Sequence, residues 1–129
     1  IICDDNDRLY LRKIRKDYKN LVRNIWNPFD KTNEGILGCT TVNRLYITPI
    51  GDVLVCPYVH IKIGNIFKQS LKEIVDYGFS IKHFSNHSDL CLAGEDKSFI
   101  SKFMTKQGQS IFKPALAEEI FTETDFVKS

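Results

Sequence analysis

The stretch Arg44–Pro57, RLYITPIGDVLVCP, predicts a β-hairpin. Its two arms, Arg44–Thr48 and Val53–Cys56, are rich in β-branched and aromatic residues, which favour strands. Between the arms, Pro49 presets φ and Gly51 accepts a positive φ, as a tight turn requires. We therefore expect the chain to reverse at Gly51 and to run back beside the first arm.

Two cysteines flank this hairpin. Pro57 withdraws a backbone donor, so we expect the second strand to end at Cys56. Cys39 precedes the first strand, and Cys39, Gly51 and Cys56 are spaced as C-x11-G-x4-C. This places both thiols at one end of the hairpin, where a third, Cys91, can face them. Cysteines in such a pattern indicate a metal site or buried free thiols.

Length and composition indicate one ordinary domain. The chain has 129 residues, 43% of them hydrophobic, which is enough for a core without disulfides. A net charge of +2 is too small for a long-range field directed at nucleic acid or a membrane. Four cysteines are sparse for a secreted disulfide scaffold, and we expect ligands or free thiols in a cytoplasmic, reducing setting.

These 129 residues show no apolar run of about 20 residues, and no basic region followed by an apolar block is visible at their start. The chain begins Ile1-Ile2-Cys3 without methionine, and we expect it to be a fragment of a longer protein. An amphipathic helix is predicted from Asp4 or Asp5 to Trp26, because apolar residues recur on one face. The opposite face is basic with acidic residues interleaved, which is typical of a solvated surface. The polar connection 31–38 then marks a subdomain boundary.

Helices also follow the hairpin. A capping box, Ser70 with Glu73, starts a helix that we expect to stop at Gly78 and to bury Leu71, Ile74 and Val75. A third helix is predicted to end near Gly108, with its apolar face formed by Phe99, Ile100, Phe103 and Met104. A last short helix is predicted from Pro114 through Phe121. The predicted class is α+β, a small cysteine-bearing β-hairpin packed by flanking helices.

Four stretches together resemble a known family. They are Gly38-Cys39, Leu45–Pro57, Ile63-Gly64-Asn65-Ile66 and the helix that starts at Ser70. This arrangement is similar to the C-terminal auxiliary-cluster region of radical S-adenosylmethionine enzymes, the SPASM and shorter twitch domains. The resemblance covers residues 35–107, and it divides the chain into an N-terminal charged helix and connection (1–34), the auxiliary-cluster domain (35–107) and a C-terminal helix and tail (108–129).

The resemblance implies that Cys39, Cys56 and Cys91 bind an auxiliary 4Fe-4S cluster as thiolates. A full SPASM domain has a cysteine-rich run for a second cluster, and here only Cys91 follows the helix, so one cluster is expected. The fourth ligand stays open between Cys3, His60, a water and the substrate. His83 and His87 are two further candidates for this fourth position.

The resemblance also implies a partner. Radical S-adenosylmethionine enzymes carry C-x3-C-x2-C in an N-terminal barrel, and that spacing does not occur in these 129 residues. We therefore expect this part alone not to cleave S-adenosylmethionine. The parent oxidoreductase would do so with its barrel, while this domain holds substrate or passes electrons.

Other classes remain open from the residues alone. The cysteines and histidines suit a structural zinc site, although no close C-x2-C pair is present. A metal-free interaction domain with buried thiols is a second alternative. A cysteine hydrolase is a third, and it would need a base within hydrogen-bond reach of a thiol.

Overall fold

The computed structural model describes residues 4–18, 39, 41–86 and 88–128. Within these ranges, a four-stranded sheet lies among short helices, which confirms the predicted α+β class. The strand order is β1-β2-β3-β4. The strands are β1 Tyr46–Ile47, β2 Asp52–Leu54, β3 Ile61–Asn65 and β4 Ala115–Leu116.

The predicted hairpin is present. β1 and β2 pair antiparallel with Tyr46 opposite Leu54, and Gly51 adopts φ 82° in the turn between them. The second strand is shorter than predicted, because β2 ends at Leu54 and Cys56 lies in the following loop. The physical reason is that the Cys56 sulfur accepts amide hydrogens from Tyr58 and Val59, so the chain turns there instead of extending.

β3 extends the hairpin into a sheet. It pairs antiparallel with β2, with a register irregularity between Val53 and Leu54. Its residues alternate between buried and half-buried, so one side of the strand faces the core. β4 joins β3 in parallel, with Ala115 opposite Ile61.

The C-terminal segment differs from the single helix predicted from Pro114 through Phe121. Ala115–Leu116 is strand β4, and only Ala117–Ile120 is helical (α6). The Ala115 amide donates to the His60 carbonyl at 3.1 Å. Both alanines are almost fully buried, so their small side chains let this segment lie directly against the sheet.

Helix α2 (Leu71–Ser80) begins as predicted. The Ser70 hydroxyl accepts the Glu73 amide at 3.3 Å, and the Ser70 amide donates to the Glu73 carboxylate at 2.8 Å. The predicted stop at Gly78 is wrong, because the helix continues to Ser80. Gly78 is buried inside it, where a missing side chain lets Ile63 approach. Leu71 was expected to be buried but is 51% exposed, and Ile74 forms the buried face.

The remaining helices lie before the sheet and after α2. Helix α1 spans Asp5–Asp17 with Asp4 as its N-cap, and the rest of the predicted N-terminal helix lies outside the described residues. Helix α3 spans Lys82–Ser85. The third predicted helix is confirmed as one helical run made of α4 (Lys97–Phe99), a π-helical turn (Ile100–Met104) and α5 (Thr105–Gln109).

One hydrophobic core joins the sheet and the helices that follow it. Its fully buried large side chains come from the sheet, the helices and the loop after β2: Val53, Val55, Val59, Ile61, Ile74, Ile81, Phe99, Phe103 and Ile120. Phe99, Phe103 and Phe121 pack as a cluster of tilted rings, with Phe103 4.9 Å from Phe121 between ring centroids. In the described ranges, no helix has the length and apolar character needed to cross a bilayer.

Candidate metal centre

The segment around Cys39 ties the neighbourhoods of the other two cysteines together. The Cys39 amide donates to the Ser88 carbonyl at 2.8 Å, three residues before Cys91. The Val42 amide donates to the Val55 carbonyl at 3.0 Å, next to Cys56. Backbone hydrogen bonds therefore bring three parts of the chain, far apart in sequence, to one place.

The backbone of Val42, whose amide makes one of these bonds, is strained. It has φ 65°, a left-handed conformation that β-branched residues rarely adopt, and its side chain is only 3% exposed. Buried contacts with the core hold it there. Strain of this kind is often retained next to functional sites, where the surrounding structure over-determines the backbone.

Cys56 sits at the start of a tight loop that follows β2. Its sulfur accepts the amide of Tyr58 at 3.4 Å and that of Val59 at 3.2 Å. Burial raises the pKa of the Cys56 thiol; the two amides act in the opposite direction, and Cys39 and Cys91 raise it further. The loop is closed where the Val55 amide donates to the Ile61 carbonyl at 3.4 Å.

Cys91 repeats the same arrangement in a second loop. Burial raises the pKa of its thiol, while hydrogen bonds from the Ala93 and Gly94 amides lower it, and Cys39 and Glu95 raise it. In both loops, the amides of the second and third residues after the cysteine lower the pKa of its thiol. Amides aimed at sulfur stabilise a thiolate, because they compensate the negative charge in a half-buried place.

The three thiols lie within electrostatic reach of one another. Cys39, Cys56 and Cys91 are all free and half-buried, and the charge of one is felt by the next. Soft sulfur donors with amide hydrogen bonds are the chemistry that iron–sulfur clusters require, so these residues fit such a group. Among the described residues, no three His, Cys, Asp or Glu side chains are close enough to hold a single metal ion.

The other predicted ligands lie as follows. The His60 Nε2 atom is 2.8 Å from the Pro57 carbonyl, so the exposed imidazole is held within the Cys56 loop. His83 belongs to the aromatic cluster, with its ring 4.6 Å from that of Phe103 between centroids. Cys3 and His87 lie outside the described residues.

A cavity of about 510 Å³ lies elsewhere, between β3, α2 and the start of α6. Lys62, Asn65, Tyr77 and Glu118 are among the residues that line it, and the three cysteines are not. Burial and the nearby Glu118 carboxylate raise the pKa of Tyr77 to about 12, so this phenol stays protonated at neutral pH. The cavity is therefore separate from the thiol group.

Comparison with known families agrees with this geometry. Residues 39–93 match the family model of the SPASM iron–sulfur cluster-binding domain. This segment resembles a SPASM domain. The match starts at Cys39 and ends two residues after Cys91, so it contains Gly51 and all three converging cysteines. Searches of curated proteins and of solved structures found no match.

The match suggests iron–sulfur cluster binding by this part of the chain. Its limits fall inside the predicted 35–107 domain, whose own boundaries stay a prediction. Sequence reasoning missed the residues that support the cysteines. Ser88 receives the Cys39 amide, and Glu95 receives the Cys91 amide at 3.0 Å. Only the four-residue spacing of Cys91 and Glu95 hints at such a contact in the sequence.

Proposed function

We propose that Cys39, Cys56 and Cys91 bind one auxiliary 4Fe-4S cluster in the C-terminal part of a radical S-adenosylmethionine oxidoreductase. The convergence of three half-buried thiols, two of them with paired amide donors, carries this proposal. The SPASM match over the same cysteines supports it. The domain would hold the substrate or pass electrons.

Three cysteine thiolates occupy three of the four irons in such a cluster. The fourth iron would take Cys3, His60, water or substrate. When bound, the cluster supplies a one-electron site or an iron that can coordinate a substrate atom. The chain's own residues hold the cluster, shield it through half-burial and stabilise the thiolates through their amides.

The remaining functional sites of this proposal belong to the parent enzyme. The radical-generating cluster and the S-adenosylmethionine site would lie in an N-terminal barrel, which is the partner of this domain. A cytoplasmic location accords with thiols that must stay reduced until they bind iron.

The test is metal analysis of the 129-residue chain reconstituted without air. We expect about four irons and four sulfides per chain, with an electron paramagnetic resonance signal after reduction. Each of Cys39→Ala, Cys56→Ala and Cys91→Ala should lose most of this iron, because each removes one thiolate from a cluster that has three.

Cys3→Ala and His60→Ala serve as matched variants for the fourth position. Either of them that changes the spectrum without removing the iron identifies a fourth ligand. Zinc without iron in the wild-type chain would overturn the proposal in favour of a structural zinc site. A wild-type chain that takes up neither metal would leave a metal-free interaction domain.

A further inference from the structure

The loop that follows Cys91 holds every polar group of that residue. The Cys91 carbonyl accepts the Glu95 amide at 2.8 Å and the Asp96 amide at 3.0 Å. The Ala93 and Gly94 amides lower the pKa of the Cys91 thiol, against the effect of its burial. The Cys91 amide donates to the Glu95 carboxylate at 3.0 Å. The direction of the thiol therefore depends on this one loop.

Glu95 differs from the other supports because it acts through its side chain. The remaining contacts are made by backbone amides, which no substitution removes without changing the fold of the loop. Glu95 also brings a negative charge close enough to be felt by the Cys91 sulfur. In the Cys56 loop, the contacts to sulfur come from the backbone amides of Tyr58 and Val59.

A carboxylate beside one ligand has two separable effects. Its oxygen fixes the Cys91 amide, and with it the entry of the chain into the loop. Its charge disfavours the addition of an electron nearby, because like charges repel more strongly in a half-buried place than in water. Charge and hydrogen bonding near the sulfurs are known determinants of cluster potential.

We propose that Glu95 is a positioning residue for Cys91, and that its charge lowers the reduction potential of the cluster that Cys91 helps to bind. The effect on the reduction potential rests on the proposed function, whereas the positioning of Cys91 does not need a cluster. Glu95 thus combines a hydrogen bond to the Cys91 backbone with a charge that acts on the Cys91 sulfur.

Two substitutions separate the effects. Glu95→Gln keeps an oxygen that can accept the Cys91 amide and removes the charge. Glu95→Ala removes both. Glu123→Gln is the matched control, because it makes the same change of charge at an exposed position on the C-terminal turn Glu123–Asp125.

The first measurement is hydrogen exchange of the Cys91 amide in the metal-free chain. We expect exchange several-fold faster in Glu95→Ala and near wild type in Glu95→Gln and Glu123→Gln. Unchanged exchange in Glu95→Ala would overturn the positioning role. This readout does not depend on iron, so it decides that role even if the wild-type chain binds no cluster and the proposed function fails.

The second measurement is a redox titration of the reconstituted chain, followed by electron paramagnetic resonance. We expect Glu95→Gln to keep its iron and to show a more positive midpoint potential than the wild type. Glu123→Gln should match the wild type. A Glu95→Gln midpoint equal to that of the wild type, with iron fully bound, would overturn the tuning role while leaving the proposed function intact.

Discussion

Gly51 decides how closely the hairpin can turn. Its φ of 82° is a conformation that costs an ordinary residue about 1–2 kcal/mol. A side chain there would also meet the Phe67 ring, with its Cβ position 2.5 Å from Cδ2. Phe67 is 75% exposed, so its ring can move away. The backbone conformation is therefore the dominant reason for a glycine at this position.

Gly51→Ala should lower the free energy of unfolding by about 1–2 kcal/mol, measured by urea denaturation. Gly51→Asn should cost less, because asparagine tolerates the left-handed region better than alanine. Both variants displace the Phe67 ring, so their difference isolates the backbone. Equal losses in the two variants would show that the ring contact dominates instead.

At the scale of single elements, α2 shows how packing changes the effect of a glycine. Gly78 lies inside the helix, where alanine is normally better by about 0.5–1 kcal/mol. A Cβ at this position would lie 3.0 Å from Ile63 Cδ1 and 3.0 Å from Val42 Cγ2. Overpacking a core costs about 1–3 kcal/mol, so the crowding outweighs the gain in helix propensity.

We expect Gly78→Ala to destabilise the protein by about 1 kcal/mol in thermal or urea unfolding. Gly108→Ala is the matched control, because Gly108 is also helical and a Cβ there would meet nothing within 4 Å. That variant should stabilise slightly. Ile63→Val removes the crowding methyl, so Gly78→Ala should cost less in that background; a larger cost would contradict the packing explanation.

At the scale of the whole molecule, the last residues belong to the same core as the sheet. Ala115, Ala117, Ile120 and Phe121 are buried in one cluster with the strands and helices. Asp125, which follows these residues in the chain, stabilises the segment through its hydrogen bonds. It is 5% exposed and accepts hydrogen bonds from the Thr122 amide at 3.0 Å and the Lys102 ammonium at 3.0 Å.

Asp125 makes stability depend on pH. Burial by itself would raise the pKa of Asp125, but the bonds from Thr122 and Lys102 outweigh it and hold that pKa well below the ordinary 3.8. A carboxyl group whose pKa is lower in the folded than in the unfolded protein stabilises the fold above its ordinary pKa of 3.8. This stabilisation is lost as the pH falls below that value. The pKa of Asp52 is lowered in the same direction by its contacts with Lys62 and Asn65, against the effect of its burial.

The free energy of unfolding should therefore fall on acidification below pH 4, by at most about 1.4 kcal/mol per pH unit for each such group. Asp125→Asn should be less stable at neutral pH and should show a shallower pH dependence, measured by urea unfolding between neutral and acid pH. Asp76→Asn, which alters an exposed ion pair with Lys72, is the control and should leave the slope unchanged. An unchanged slope in Asp125→Asn would contradict this account.

Features that depend on a few neighbouring residues could be predicted from the sequence. The turn at Gly51, the capping box of Ser70 with Glu73, and the burial of Phe99 and Phe103 are such cases. Each follows from local backbone preference or helical periodicity, which act over about one or two turns of chain. The cysteine spacing around Gly51 likewise pointed to the SPASM domain.

Features that depend on distant contacts could not be predicted. Ala115–Leu116 has the composition of a helix but is a strand, because β3 offers a free edge beside it. Gly78 has the identity of a helix stop but stays inside α2, because Ile63 and Val42 pack against it. In both cases tertiary packing outweighed a local preference worth about 1 kcal/mol.

The sequence by itself therefore determined the α+β class, the hairpin and the resemblance to a SPASM domain over a segment that contains the three thiols. Only the tertiary structure decided how these thiols are supported. The bonds from Cys39 to Ser88 and from Val42 to Val55 join residues that no local pattern connects. The physical reason is that a thiol's surroundings come from the backbone amides and carboxylates of other loops, and their positions follow from burial of the shared core.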